Sequence, residues 1–166
     1  VSPWRISKGQ EMLAAYGTDP EIRGWIDGHQ IWIILIANPD GVRYVFTVDA
    51  FWRKNRRNNG TSFGVDPNRN FNYMWATTCG GSTTPSSETY RGPSANSEPE
   101  STVINRLCEK EQVAKILQLH SYGRDVLRPT VAACLTLPAP INNYYASRTA
   151  AFAAAAAYSQ RDPSAM

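Results

Sequence analysis

An α/β fold, a sheet covered by helices, is predicted by the order of elements along the chain. Helical segments alternate with apolar runs in the sequence helix, strand, loop, helix, strand, loop, helix. The first run, residues 31–37, is continuous and rich in Ile and Trp, which suits a strand buried on both faces. A second run, residues 113–119, ends at His120. In folds of this class ligands gather beyond the carboxyl ends of strands, so the residues following each run are the places to look for chemistry.

The elements follow in order. Residues 7–16 read as a short helix with Ser7 in the capping place and Gly17 as its stop. Asp19-Pro20 then opens a turn or a further helical turn. After the first strand, Asn38-Pro39-Asp40-Gly41 is a dense turn signal. From Trp52 to about Ser97 periodicity gives way to Asn, Gly, Ser, Thr and Arg, and so long an aperiodic stretch in a compact domain is often functional. Order returns at Ser97-Glu98-Pro99-Glu100, a capping box with proline in the first turn. Val103, Ile104, Leu107 and Cys108 form an apolar helical stripe, and the Ala-rich residues 142–160 read as a closing helix. Neither an internal repeat nor a linker divides the chain.

Composition narrows the function classes. With 42% hydrophobic and 19% charged residues in a chain of 166, a disordered tail or a fibre is excluded. No apolar run reaches membrane-spanning length. A net charge of +3 is too mild to demand a nucleic-acid or membrane partner, and neither is expected. Cys79, Cys108 and Cys134 lack metal-type spacing and allow at most one internal disulfide. The chain opens at Val1 without a basic-then-apolar leader, as a processed protein or an internal piece of a longer one would.

Few residues carry candidate chemistry. Of the two histidines, His29 sits at a Gly-His turn and reads as solvated. His120 reads in isolation as a histidine with a satisfied hydrogen bond, and as a metal ligand only with further support. Asp66-Pro67-Asn68-Arg69-Asn70 makes turns by itself, yet an Arg between two Asn also suits a carboxylate, which accepts paired bonds from a guanidinium. The basic cluster Trp52-Arg53-Lys54-Asn55-Arg56-Arg57 reads first as a solvated face and second as a phosphate or nucleic-acid contact. Asn59-Gly60-Thr61 is a glycosylation sequon that a secreted loop would suit.

Taken together, the blocks are similar to a known family. Ile34-Leu35-Ile36-Ala37-Asn38-Pro39-Asp40-Gly41, Phe51-Trp52-Arg53-Lys54-Asn55-Arg56, Asp66-Pro67-Asn68-Arg69-Asn70-Phe71, Ser87-Glu88-Thr89-Tyr90-Arg91-Gly92, Ser97-Glu98-Pro99-Glu100 and His120-Ser121-Tyr122 stand in the order and spacing of zinc metallocarboxypeptidases of the carboxypeptidase A/B type. Beyond Tyr122 the likeness thins.

The resemblance implies an α/β fold with a mixed β-sheet flanked by helices, zinc-exopeptidase-like and incomplete in this chain. It also implies a zinc-dependent release of C-terminal amino acids from peptides. By the same resemblance His120 is a zinc ligand, and Arg56 polarises the scissile carbonyl and stabilises the oxyanion. Asn68 and Arg69 hold the substrate's C-terminal carboxylate. Arg53, Ser121 and Tyr122 line peptide subsites, with a cis bond between Ser121 and Tyr122. Asp66 orients a zinc-bound histidine. The expected partners are peptide or protein C-termini, the expected state is a monomer, and the setting is extracellular or vacuolar.

Three departures qualify this. The H-x-x-E motif that supplies the family's first zinc ligands is absent, since His29 is followed by Gln30, Ile31 and Trp32. The family's glutamate base lies beyond the Ala-rich helix. A disulfide common among relatives is replaced by Ser62 and Ser86. Residues 1–166 are therefore expected to be the central part of a catalytic domain, inactive alone. Two alternatives stand beside this: a catalytically silent module binding C-terminal carboxylates, and a fragment that does not fold by itself.

Overall fold

The computed structural model describes residues 3–77, 80–120, 125–127, 137–157 and 159–161. Two helices open it. Helix α1, Pro3–Ala15, begins before the expected Ser7, which lies inside it rather than at its cap. Helix α2, Pro20–Gly28, starts where Asp19 accepts from the backbone N–H of Glu21 at 2.8 Å and of Ile22 at 3.2 Å, with Pro20 in the first turn. The corner between them is fastened by Arg23, whose Nε and a terminal nitrogen donate to the carbonyls of Tyr16 and Gly17 at 3.2 and 3.0 Å. The Tyr16 hydroxyl donates to Asp27 at 2.8 Å.

The Asn-Pro-Asp-Gly block is a helix start rather than a free turn. Asn38 accepts from Gly41 N–H at 2.9 Å and Pro39 takes the first position of α3, Pro39–Thr47. The same residue types serve both roles, which is why a turn was expected there. Asn38 also donates to the Lys54 carbonyl at 3.1 Å, and a Cβ on Gly41 would lie 2.6 Å from that oxygen. Only glycine lets the helix come so close to the 52–57 segment.

Helix α4, Pro99–Lys110, is capped at Glu98, one residue later than the capping box predicts, and without a side-chain cap. Ser97 is otherwise engaged: its hydroxyl donates to Glu98 at 2.7 Å and accepts from Asn70 at 2.8 Å. The Ala-rich helix α5 spans Ala139–Ala156 and stops at Ala157, which adopts the left-handed conformation. It starts earlier and ends earlier than residues 142–160. Strands β1, Asp125–Leu127, and β2, Ser159–Arg161, pair in parallel with Val126 opposite Gln160, and α5 packs against both. A helix joining two parallel strands is the ordinary crossover. Neither strand was expected.

The predicted mixed β-sheet is not formed among the described residues, whose one sheet is this parallel pair. Residues 31–37 and 113–119, both expected as buried strands, belong to no ladder among the described residues, and residues 31–37 are solvent-exposed. An apolar run becomes a strand only where a neighbour pairs its backbone groups. The interior lies instead in the long aperiodic stretch, and it is largely polar. Val65 and Tyr90 are its buried apolar residues, surrounded by buried Lys54, Asn55, Asp66, Asn70, Glu98 and Ser101.

Candidate active site

The basic cluster is taken apart by the fold, and its residues do not form a solvated face. Each goes to a different partner. Lys54 turns inward, donating to the carbonyls of Ser87 at 3.1 Å and Pro85 at 3.4 Å. Arg53 pairs with Asp66 at 2.6 Å and Arg57 with Glu98 at 2.7 Å. Among the described residues Arg56 forms no ion pair; its guanidinium lies 3.7 Å from the Tyr44 ring centroid, 4.6 Å from Trp52 and 4.8 Å from Phe63. A cavity of about 340 Å³ opens beside it, lined by Asp40, Arg43, Tyr44, Thr47 and Arg56.

These positions are set by a small hairpin. Asn55 N–H donates to the Val65 carbonyl at 2.9 Å, Gly64 N–H to Arg57 at 2.7 Å, and Asn59 N–H to Ser62 at 2.9 Å across the turn. Gly64 is required on two grounds. Its φ is +87°, and a Cβ there would lie 2.6 Å from the Asn55 carbonyl. The Asn55 side chain completes the join, accepting from Val65 N–H at 2.8 Å and donating to Glu98 at 2.7 Å.

The hairpin leads into the Asp66 turn. Asp66 is buried and both carboxylate oxygens are engaged, one by Asn68 N–H at 3.0 Å, the other by Arg53. Pro67–Arg69 forms a 3-10 turn under that cap. Asn68 and Arg69 thereby face a second cavity, of about 260 Å³, with Phe71, Tyr73, Met74, Trp75 and Gly80. A guanidinium beside an aromatic wall can bind a carboxylate attached to an apolar group. The two cavities share no lining residue, but the Asn55–Val65 pairing ties the segment bearing Arg56 to the turn bearing Arg69.

Beneath the turn, Asn70 is fully buried. Its amide donates to the carbonyls of Arg91 at 2.9 Å and Ser94 at 3.1 Å and to Ser97 Oγ at 2.8 Å. Its oxygen accepts from Glu98 N–H at 3.0 Å and Ser101 Oγ at 2.5 Å. Trp75 Nε1 donates to the Arg91 carbonyl at 2.8 Å, so the aromatic wall hangs from the same scaffold.

The remaining expected residues are dispersed. His120 is exposed at the end of the 113–120 segment. Ser121 and Tyr122, with their expected cis bond, lie outside the described residues, as do Cys79 and Cys134; Cys108 is a half-buried free thiol. His29 is exposed, a ring nitrogen 3.1 Å from the Trp25 carbonyl. Among the described residues no three His, Cys, Asp or Glu side chains gather as a metal centre. His120 alone does not fit zinc, which takes at least three protein ligands in catalytic sites. Sequence reasoning missed Tyr44 and Phe63 around Arg56 and the Phe71, Tyr73 and Trp75 wall. The density of aromatics directly after Arg69 was the available signal for that wall.

Comparison with known proteins meets this geometry at one point. The family model for zinc carboxypeptidases matches residues 8–164. The chain belongs to the zinc carboxypeptidase family. Carboxypeptidase O of Bos taurus is 38% identical over 124 residues, 72% of this chain and 33% of the relative. The carboxypeptidase A structure from Helicoverpa armigera is 37% identical with a TM-score of 0.57, covering 65% of this chain and 27% of that one. Thrombin activatable fibrinolysis inhibitor superposes over 98% of this chain and 42% of its own with a TM-score of 0.79; at 22% identity it speaks for the fold alone. The chain spans about a third of the length of the curated relatives it matches. A carboxypeptidase fold is thus followed along nearly the whole chain, although residues 31–37 and 113–119 stand outside the one described ladder.

Proposed function

We propose that residues 1–166 form the central part of a zinc carboxypeptidase domain that releases C-terminal amino acids from peptides or proteins. In that domain residues 31–37 and 113–119 are strands of a mixed sheet. The observation that carries the reading is the cavity shared by Asn68 and Arg69. The half-buried Arg69 guanidinium, one terminal nitrogen of which donates to the Asn68 carbonyl at 3.1 Å, lines it with Phe71, Tyr73 and Trp75 and suits a terminal carboxylate, with an aromatic surface for the residue bearing it. Fixing that carboxylate leaves one peptide bond in place for cleavage.

Arg56 supplies positive charge where negative charge develops on the carbonyl oxygen, and a preformed charge is worth most in the transition state. Arg53, held by Asp66, borders the substrate path together with Ser121 and Tyr122. Asp66 is thereby a positioning residue for Arg53 and for the Asn68–Arg69 turn. Zinc is the metal of the family, and His120 is assigned as one of its ligands. Held by His120 with ligands from outside the described residues, zinc would supply Lewis-acid chemistry toward a carbonyl and a water. The described residues do not hold it alone; what they contribute is the binding and orienting done by their own side chains. An extracellular or vacuolar setting accords with the Asn59-Gly60-Thr61 sequon, in which Gly60 and Thr61 are exposed and the half-buried Asn59 donates its amide to the Gly64 carbonyl at 3.1 Å.

A second reading, a module that binds C-terminal carboxylates without cleaving, rests on the same cavity, since Asn68 and Arg69 need no metal to bind an anion. Amino-acid release by the whole catalytic domain, with zinc and with chelator, separates the two. The enzyme reading predicts zinc-dependent loss of the last residue and a fall of about 10²–10³ in kcat for Arg56→Ala. Binding without release would favour the module, and cleavage at internal bonds would refute both.

A further inference from the structure

Of the arginines at positions 53, 56 and 57, two are paired through the edge of the guanidinium, by carboxylates of Asp66 and Glu98. Arg56 is held differently. Tyr44 from α3, Trp52 from the segment before the hairpin and Phe63 from its far side converge on one guanidinium, at 3.7, 4.6 and 4.8 Å. Each distance is inside the range where a ring quadrupole attracts a cation. The rings are themselves located: Trp52 Nε1 donates to the Asn55 carbonyl at 3.2 Å, and Tyr44 meets Trp52 edge-on, with centroids 4.9 Å apart and planes at 64°.

The geometry has a chemical consequence. Aromatic rings engage the face of a guanidinium, whereas its N–H donors lie in the plane around its edge. Among the described residues no hydrogen bond or ion pair takes up those donors on Arg56. A carboxylate partner would fix the group and also neutralise it. A guanidinium has two faces, so Tyr44 at 3.7 Å covers one and at least one of the other rings borders the edge; the group is fixed without an ion pair, on a cavity of about 340 Å³ that it shares with Arg43 and Asp40.

We propose that Tyr44, Trp52 and Phe63 form an aromatic clamp that holds the Arg56 guanidinium, ion-paired with no described carboxylate, where with Arg43 it meets an anionic oxygen in that cavity in competition with Asp40, and that Tyr44 is the chief positioning residue. The role in catalysis rests on the assignment of Arg56 to the reacting carbonyl, whereas the clamp and its anion site do not.

The test is a titration of the 166-residue chain with acetate, followed on the Arg56 side-chain N–H signals by NMR. Three proteins are compared: the parent, Tyr44→Phe and Tyr44→Leu. In the parent those signals are displaced upfield by the ring current of Tyr44 and move on addition of acetate. Tyr44→Phe keeps the ring and leaves both properties unchanged. Tyr44→Leu keeps apolar bulk but removes the π-face; the displacement collapses and acetate affinity falls about fivefold, the size expected of one cation–π contact. Equal acetate affinity in Tyr44→Leu and the parent would overturn the proposal. So would parent Arg56 signals at ordinary positions, a result that needs no variant to fold. Because neither readout is peptide hydrolysis, absence of amino-acid release by the whole catalytic domain refutes the proposed function, and a clamp shown by these signals leaves this inference standing.

Discussion

Replacing Asn70 by alanine tests whether a polar interior holds the candidate site. The amide has two hydrogens for its three acceptors, so the bonds to Arg91, Ser94 and Ser97 are partly shared. On truncation some partners fall back. The Arg91 carbonyl keeps Trp75, the Ser94 carbonyl keeps the Ser97 N–H, and Ser101 keeps the Glu98 carbonyl. The Glu98 N–H has no such recourse and is left buried without an acceptor, at a cost of about 1–3 kcal/mol. Loss of the remaining bonds adds about 0.5–1.5 kcal/mol each where they are not shared. The expected total is about 3–4 kcal/mol, or about 6–16 °C in Tm for a chain of this size. Ser101→Ala is the control: it removes one donor and orphans no N–H, and should cost about 1 kcal/mol. Urea unfolding followed by tryptophan fluorescence reads both, since Trp75 is hydrogen-bonded to the same scaffold. An Asn70→Ala cost no larger than that of Ser101→Ala would refute the reasoning.

Other expectations follow from single contacts. Gly64→Ala should cost about 2–3 kcal/mol and Gly60→Ala about 1 kcal/mol in the same unfolding assay: both have φ +87°, but only Gly64 faces the Asn55 carbonyl, so equal costs would contradict the close approach. Asp66→Asn keeps an acceptor for Asn68 N–H and should cost about 1 kcal/mol or less, Arg53 being half exposed, whereas Asp66→Ala also loses the cap and should cost about 2 kcal/mol. The Tyr16 hydroxyl should titrate above the ordinary tyrosine value in ultraviolet absorbance, because its hydrogen bond to Asp27 and then the Asp27 charge favour the protonated phenol. That contact supports the α1–α2 corner below the unfolded tyrosine pKa and is lost as pH rises through the folded one. Asp27→Asn should bring the titration back down.

Helix α4 was legible from Pro99 and the apolar stripe that follows it, and α5 from its alanine content, although neither has a side-chain cap. Helix α3 was hidden because Asn38-Pro39-Asp40-Gly41 spells a turn and a helix start with the same letters. The apolar runs were legible as segments but not as strands, since pairing depends on a neighbour that periodicity cannot reveal. The candidate site residues Arg53, Arg56, Asp66, Asn68 and Arg69 were named through family resemblance. Their supports were not, because Asn55, Asn70 and Glu98 look like ordinary loop polars. Burial of such groups depends on long-range partners, such as Asn55 with Glu98, that no local window contains.

The central claim is that Asn68 and Arg69 recognise a terminal carboxylate. Calorimetry of one short peptide with a free C-terminus and of the same peptide as its C-terminal amide tests this most directly, on the parent chain and on Arg69→Ala. The free acid should bind at least about tenfold more tightly than the amide, as loss of a charge-assisted bond implies, and Arg69→Ala should erase the difference. Equal affinity of the parent for acid and amide would contradict the account.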